Sequence, residues 1–145
     1  MSAARAAIVS ETFTRVAPPT NGRTAPFWTA GADGTLRIAR CQACGWYAHP
    51  PRPVCPRCRG RAVRPEVVSG RGRVHSCTLN HYQWVPGMPA PYIVAEVELV
   101  EQDGLCLLTN VVDCAWDAVA IGMDVEVCFA RAGDAFIPLF RPLGP

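Results

Sequence analysis

Four of the eight cysteines form two Cys-x-x-Cys pairs, a spacing that is typical of a metal site. Ten residues separate the pairs, whose members are Cys41, Cys44, Cys55 and Cys58. A Cys-x-x-Cys turn directs two sulfur atoms the same way, so two such turns can surround one ion. Soft sulfur ligands in a closed tetrahedron favour zinc. The sequence therefore predicts one zinc ion bound by these four thiolates.

The predicted metal centre is expected to stabilise the fold rather than to react. Four protein ligands leave no open position for a catalytic water, and a metal can fold a short segment that has little core of its own. Gly45 and the Arg59–Gly60 pair follow the second cysteine of each turn, where a tight turn often needs a small residue. Two redox dithiols or a disulfide framework are the alternatives, but the flanking sequence does not resemble a thioredoxin-like βαβ unit.

The remaining thiols and imidazoles show no recognisable catalytic pattern. His75 and His81 are six residues apart, which places them on the same face of an unbulged strand. This pair could bind a metal, but we expect it and His49 at the surface or at a partner contact. The chain has no Walker loop, nucleophile elbow or His-Glu-x-x-His motif, so we expect no catalytic residue. Four further cysteines lack paired spacing and are expected to be small buried apolar residues: Cys77, Cys106, Cys114 and Cys128.

The basic residues are concentrated around the paired cysteines. All 14 are arginines, nine of them lie between Arg37 and Arg73, and Glu66 is the only acid in that span. Nine of the 12 acids lie between Glu96 and Asp134. The "SGRGR" stretch is a weak candidate for a phosphate-binding loop, and a bulge with exposed arginines is the simpler interpretation. The charge therefore divides the chain into a basic first half and an acidic second half.

Length and composition limit the class of protein. The 145 residues suit one domain, or two small ones that would each be marginally stable without help from a metal. We find no signal-peptide pattern and no apolar run of about 20 residues that could span a membrane. We therefore expect a soluble cytoplasmic protein with no membrane contact, in which paired cysteines more often bind metal than form disulfides.

The first part of the chain predicts a short helix and a strand that lead into the cysteine cluster. Residues 1–20 are small and polar and end in prolines, so we expect them to be poorly ordered or to lie over a partner. A short helix is predicted from Thr24, as a cap, to Gly31 or Gly34, with Phe27 and Trp28 as its anchors. "TLRIARC" alternates in polarity, as a strand does.

The second part of the chain predicts five strands. "VVSGRGRVHSCTLNHYQW" is a long strand with glycines where it would bend or bulge. "YIVAEVELV" alternates, and the Asp103–Gly104 turn leads into "LCLLTNVV". "DCAWDAVAIGM" is a short helical link, and "DVEVCFA" and "AFIPLFRP" are the last two strands. Five strands with hairpin turns and one helical link predict a small barrel that is partly open at one edge.

This order of elements resembles a bacterial and archaeal family of zinc-ribbon/OB-fold proteins, long catalogued as a domain of unknown function. The resemblance covers residues 26 to 142. It is carried by "PFWTAGADGTLRIARCQACG", "HPPRPVCPRC", "VVSGRGRVHSCTLNH", "PYIVAEVELVEQDG", "IGMDVEV" and "FIPLFRP". Neither a zinc ribbon nor an OB barrel would be specific alone, but their combination with the Phe-Trp helix is.

The resemblance implies a fold class and a domain plan. The fold is expected to be mainly β, with a short N-terminal helix and a rubredoxin-like zinc ribbon before a five-stranded OB-fold barrel. Residues 1–23 would be a flexible segment, 24–66 the helix and ribbon, and 67–145 the barrel. The four paired cysteines match the zinc ligands of the family.

The resemblance also implies a function. Members of the family accompany thiolase-superfamily enzymes, including acyl-CoA thiolases and thiolase-like aldolases of steroid side-chain or aromatic-acid breakdown. The chain is therefore expected to be a non-catalytic accessory subunit that stabilises such a partner and helps to line its channel for a CoA thioester. Arginine suits the phosphates of CoA, and six arginines are the candidates: Arg52, Arg57, Arg59, Arg61, Arg71 and Arg73.

A nucleic-acid-binding module is the alternative function, because zinc ribbons and OB barrels both bind nucleic acids in other proteins. The acidic barrel opposes this interpretation, since its expected exposed positions include Glu96, Glu98, Asp124 and Glu126. A free-standing enzyme is opposed by the lack of a pattern of nucleophile and base.

We also predict the places of two tryptophans. Trp28 is expected in the N-terminal core, and Trp84 or its loop at the partner interface.

Overall fold

The computed structural model describes residues 5–11 and 13–144, and it contains the short helix predicted from the sequence. Helix α1 spans Ala25–Thr29 and continues as a 3-10 turn over Ala30–Asp33, after a first 3-10 turn at Gly22–Thr24. Pro26 lies in its first turn. Gly34 ends the element with a left-handed φ of 69°, a conformation that glycine adopts at the least steric cost. The expected cap is wrong in one respect, because the Thr24 side chain makes no capping hydrogen bond.

Three short strands form the sheet of the ribbon. These strands are β1 (Leu36–Cys41), β2 (Tyr47–Ala48) and β3 (Val63–Val68), arranged antiparallel in the order β2-β1-β3. Strand β1 matches the predicted "TLRIARC". Strand β3 was not predicted: the sequence pattern assigned Val67 and Val68 to the start of one long barrel strand, whereas they pair with β1 and a separate strand begins at Arg71. Pro65 and its charged neighbours hide β3 from that pattern, and an edge strand tolerates a proline because its outer side needs no hydrogen bond.

Five further strands form the predicted barrel. They are β4 (Arg71–Asn80), β5 (Tyr92–Leu99), β6 (Cys106–Thr109), β7 (Asp124–Ala132) and β8 (Ala135–Pro142), in the antiparallel order β6-β5-β4-β7-β8. A parallel bridge from Val111 to Phe140 joins the two ends of this curled sheet. The predicted helical link is a 3-10 turn at Trp116–Ala118. The expected mainly β fold is therefore confirmed.

One hydrophobic core joins the ribbon sheet to the barrel. Leu36 and Ile38 of β1 are buried in the same cluster as Phe129 of β7 and Phe140 of β8. The predicted alternation of β5 is confirmed, since every second residue from Ile93 to Leu99 is buried. Val68 of β3 pairs with Leu36 of β1 and belongs to this cluster. Pairing and packing therefore cross the proposed division at residue 66, which remains a prediction.

The N-terminal residues lie along the barrel, whereas the sequence led us to expect a flexible segment over 1–23. We call residues 5–11 and 13–15 the N-terminal strap; residues 1–4 and Thr12 lie outside the described part of the chain. The Val9 amide donates to the Phe129 carbonyl at 2.8 Å, and the Thr14 amide donates to the Gly87 carbonyl at 2.9 Å. These backbone bonds satisfy groups that β7 and the loop after β4 would otherwise leave unpaired.

A charged pair also holds the strap. Arg15 forms two hydrogen bonds with the Glu11 carboxylate, at 2.6 and 2.7 Å, and donates to the Asn110 side chain at 2.9 Å. The side chains of Arg15 and Glu11 are only 7% and 13% exposed, respectively.

Within the described residues, no helix has the length and apolar character needed to span a membrane.

Candidate metal centre and the surfaces around it

The four paired cysteines lie on two tight turns at one end of the ribbon sheet. The Gly45 amide donates to the Cys41 carbonyl at 2.8 Å, and the Arg59 amide donates to the Cys55 carbonyl at 3.0 Å. Gly45 has a left-handed φ of 79°, as expected for a tight turn. In the second turn Arg59 adopts this left-handed conformation, with a φ of 63°. Gly60, the small residue of the Arg59–Gly60 pair, does not.

The four sulfur atoms converge with spacings suited to one ion. All lie within 4.8 Å of one another. The sulfur atoms of Cys41 and Cys58 are 3.6 Å apart, as are those of Cys44 and Cys55. A tetrahedral zinc ion with bonds of about 2.3 Å requires sulfur separations of about 3.8 Å. The donor set and its spacing therefore fit zinc, and the four cysteines form a cluster that can hold one ion.

The protein backbone stabilises the charged form of some of these thiols. The Cys58 amide lowers the pKa of Cys55 to about 6, and the Cys44 amide lowers the pKa of Cys41. At Cys58 the Gly60 amide also lowers the pKa, but the neighbouring cysteine side chains outweigh it and raise the pKa to about 11. The cluster thus favours the ionisation of some thiols, but it opposes the ionisation of all four in the absence of a cation.

The geometry favours a structural metal over a disulfide framework and over a catalytic metal. Cys41 and Cys55 are buried and Cys44 and Cys58 are exposed, so the site sits at the surface with its inner half in the ribbon. All eight cysteines carry free thiols, in contrast to a disulfide framework. The four sulfur atoms occupy the four corners of the site, which leaves no open position for substrate.

The six candidate arginines do not form one cluster. Arg57 stacks over the Trp46 ring at 5.1 Å, and Arg59 shapes the second turn. Arg73 is paired with Asp124 at 2.9 Å, and Arg71 borders a separate hollow beside the strap. Only two of the six share a cavity with each other, Arg52 and Arg61.

The cavity that holds this pair also contains three arginines that the candidate set left out. It lies between helix α1 and the ribbon sheet and includes Arg23, Arg37 and Arg64. Arg37 could have been found from the alternation of "TLRIARC", because Leu36 and Ile38 face the core and Arg37 must point the other way. Arg23 could not, since its position depends on how α1 packs.

The histidines are placed differently from the expected pair. A β-bulge lies between Val74 and Ser76, so His75 is the extra residue and the same-face argument for an unbulged strand is wrong here. His81 is exposed just beyond the end of β4. His49 lies 4.6 Å from the Phe27 ring, and burial lowers its pKa, which keeps it neutral near pH 7.

The exposed aromatic residues lie mainly after β4. Tyr82 and Trp84 are 64% and 70% exposed, and their ring centroids are 4.7 Å apart. The Trp84 indole donates to Asn80 at 2.9 Å, which fixes its position. Trp28 is only half-buried and packs against Phe27. Sequence reasoning did not anticipate a second exposed apolar group on the link before β7, at Trp116 and Ile121.

Comparison with known proteins identifies relatives of both halves. Residues 28–64 match the profile described as "ChsH2, rubredoxin-like zinc ribbon domain", and residues 66–130 match "ChsH2, C-terminal OB-fold domain". The prediction of a zinc ribbon followed by an OB fold is therefore confirmed.

Three similar proteins cover most of the chain. A probable enoyl-CoA hydratase alpha subunit of Thermomonospora curvata is 38% identical over 88% of this chain and 40% of its own length. A DUF35 domain-containing scaffold protein of Methanocaldococcus jannaschii is 36% identical over 63% of this chain and 65% of its own. A chain of the solved "Ltp2-ChsH2(DUF35) aldolase" is 37% identical, with a TM-score of 0.77, over 86% of this chain and 98% of that one. This chain thus spans less than two thirds of both curated relatives.

Proposed function

Because this chain belongs to the ChsH2 (DUF35) family of zinc-ribbon and OB-fold proteins, we propose that it is a non-catalytic accessory subunit of a thiolase-like enzyme that acts on acyl-CoA thioesters. The observation that carries this proposal is the match, along nearly the whole of the other chain, to a component of an aldolase assembly. The names of the two curated relatives, a hydratase subunit and a scaffold protein, support a role within a larger assembly.

The thiols outside the metal centre support the non-catalytic part of the proposal. Burial raises the pKa of Cys128 to about 12. Burial also raises the pKa values of Cys106 and Cys114, and neighbouring carboxylates add to the effect. A thiol must ionise to act as a nucleophile, so these groups are poorly suited to acyl transfer. In the proposed assembly the partner supplies the nucleophilic cysteine and the histidine base.

The exposed apolar side chains support the binding part of the proposal. Tyr82 and Trp84 form an exposed aromatic pair on the loop after β4. Aromatic side chains of this kind are frequent anchors of protein interfaces, and an exposed apolar patch favours association. We assign this pair to the partner interface, as the sequence led us to expect for Trp84.

The finer parts of the proposal concern substrate and location. A steroid side-chain or aromatic-acid CoA thioester is the substrate class that we propose for the partner, with cleavage or acyl transfer occurring in the partner's active site. Zinc held by Cys41, Cys44, Cys55 and Cys58 would stabilise the ribbon in this assembly. We keep the cytoplasm as the proposed location.

The proposal is tested by co-expressing the chain with a thiolase-like protein from the same genome, with an affinity tag on one of the two. We expect the two chains to co-elute in a fixed ratio, and turnover of an acyl-CoA thioester to require both. A matched preparation with a thiolase from an unrelated operon should not co-elute. Turnover by the isolated chain, abolished by changing one of its own residues, would overturn the proposal.

A further inference from the structure

A cavity of about 240 Å³ between helix α1 and the ribbon sheet concentrates positive charge. Five arginines line it: Arg23, Arg37, Arg52, Arg61 and Arg64. We call this cavity the arginine pocket. Among the described residues that line it, none is acidic, so the mutual repulsion of the guanidinium groups is not offset from within.

The arginines of the pocket lack the carboxylate partner that Arg15, Arg40, Arg73 and Arg141 have. Arg40 binds Glu66 at 3.0 Å and Arg73 binds Asp124 at 2.9 Å, whereas none of the five pocket arginines forms an ion pair with the described residues. The Nε atom of Arg37 is buried and has no hydrogen-bond partner. A buried donor without an acceptor is unfavourable, so the described residues do not satisfy all the hydrogen-bonding groups of Arg37.

The remaining walls of the pocket are flat and apolar. The rings of Phe27 and His49 are 4.6 Å apart at one side. Pro51, Pro53 and Pro65 form further parts of the wall and hold the backbone rigid. A planar ring can stack on such surfaces while guanidinium forks bind phosphate oxygens in pairs. The combination suits a ligand that carries both a phosphate and an aromatic base.

The size of the pocket limits how much of a ligand it can hold. Sites for whole drug-sized ligands occupy about 300–1,000 Å³, which exceeds the 240 Å³ found here. One end of a longer molecule would therefore enter, and the rest would extend towards solvent or a partner. This is the arrangement needed if the reacting end of the ligand lies in another subunit.

We propose that the arginine pocket binds the phosphorylated nucleoside end of an organic ligand, with Arg37 and Arg61 as phosphate-binding residues. The identification of that ligand as the 3′-phospho-ADP part of a CoA thioester rests on the proposed function. Of the six arginines selected from the sequence, Arg52 and Arg61 belong to this site. The other four do not line the pocket: Arg57, Arg59, Arg71 and Arg73.

Binding of adenosine 3′,5′-bisphosphate to the full-length chain, measured by calorimetry, tests the pocket without a partner. We expect saturable binding, competition by CoA, and at least a tenfold loss of affinity in both Arg37→Met and Arg61→Met. Arg73→Met is the matched control, since Arg73 is exposed and paired with Asp124, and it should bind as the unchanged chain does. Circular dichroism and zinc content should confirm that each variant is folded.

Three comparison ligands separate the possible sources of the phosphate. Adenosine should not bind, and inorganic phosphate should bind more weakly than the bisphosphate. A single-stranded oligoribonucleotide that binds more tightly than the bisphosphate, and loses affinity in Arg37→Met, would assign the pocket to nucleic acid and overturn the proposal. Absence of bisphosphate binding at millimolar concentration, or equal binding by all three variants, would also overturn it.

The same variants distinguish this proposal from the assignment of the accessory subunit. Arg37→Met and Arg61→Met should still co-elute with the thiolase-like partner, while the KM for the CoA thioester rises about tenfold. If the unchanged chain binds the bisphosphate but does not co-elute with the partner, the proposed ligand of the arginine pocket is supported and the proposed accessory role is contradicted. Co-elution that is lost in Arg37→Met, with no bisphosphate binding, would instead assign the pocket to an acidic partner side chain.

Discussion

The four thiols of the metal centre constrain one another through charge. Backbone amides favour the thiolate of Cys55, whereas the crowded neighbours of Cys58 oppose its ionisation. A divalent cation reverses this opposition, because each added thiolate then gains an attractive partner. The cluster is therefore best suited to hold an ion, and the ribbon turns that carry it depend on that ion for their stability.

Replacement of Cys55 by serine should remove the metal. The variant loses a buried soft ligand, and structural zinc contributes about 10–16 kcal/mol to the folding of zinc-finger peptides, so we expect zinc to fall from one equivalent to nearly none, with a loss of solubility. Cys106→Ser, which changes a half-buried cysteine of β6, should keep its zinc. Elemental analysis measures the content, and full retention in Cys55→Ser would contradict the assignment of ligands.

Residues whose partners are close in sequence could be predicted, and residues whose partners are distant could not. The spacing of Cys41, Cys44, Cys55 and Cys58 defines the two turns that bring them together. Alternation could have placed Arg37 opposite the core, but the lack of a partner for its Nε atom depends on residues far apart in the chain. His75 and His81 do not share the face that an unbulged strand would give them, because a bulge at His75 changes the alternation.

At the scale of elements, the N-terminal strap is the main addition to what the sequence predicts. Its residues have no regular alternation, so their pattern is that of a loop. The strap is ordered by contacts with distant elements, through backbone bonds to Phe129 and Gly87. The barrel strands were largely predictable, because alternation and turn glycines act locally, as in β5 and the turn at Gly104. The ribbon strands β2 and β3 were not, because β2 is only two residues long and β3 carries a proline and charged residues.

Loss of Arg15 should release the strap. Arg15→Met leaves the Glu11 carboxylate partly buried without its cation, and breaking a buried pair in this way typically costs about 3–5 kcal/mol. We expect the Val9 and Thr14 amides to lose their protection from hydrogen exchange. Arg131→Met, a change at an exposed position of β7, should leave both amides protected. Unchanged protection in Arg15→Met would show that the backbone bonds hold the strap without the charged pair.

The loop after β4 carries the prediction for the partner interface. Trp84→Ala should fold normally, because the side chain is 70% exposed. Its affinity for the thiolase-like partner should fall about 30-fold or more, as is typical of an aromatic anchor worth about 2 kcal/mol. His81→Ala, in the same exposed stretch, should have a smaller effect. Loss of folding in Trp84→Ala would make this tryptophan a structural residue, and unchanged affinity would place the interface elsewhere.

At the scale of the whole molecule, the ribbon and the barrel are one packed unit. The order of the two parts was predictable from the sequence, since each has a local signature. Their union was not, because it depends on residues far apart in the chain: Leu36 and Ile38 of the ribbon pack in the barrel cluster. Tyr47 and Gln102 add two hydrogen bonds between the parts, at 2.8 and 3.0 Å.

This union predicts how the molecule responds to removal of the metal. If zinc is taken away with a strong chelator, β1 and β3 should lose their order, and the barrel should then lose the packing of Leu36 and Ile38 against its core. We expect amides of β7 and β8 to exchange at least tenfold faster, which corresponds to about 1.4 kcal/mol. Restoring zinc should restore the protection. Ribbon amides that exchange freely while β7 and β8 keep their original rates would show that the barrel is stable on its own.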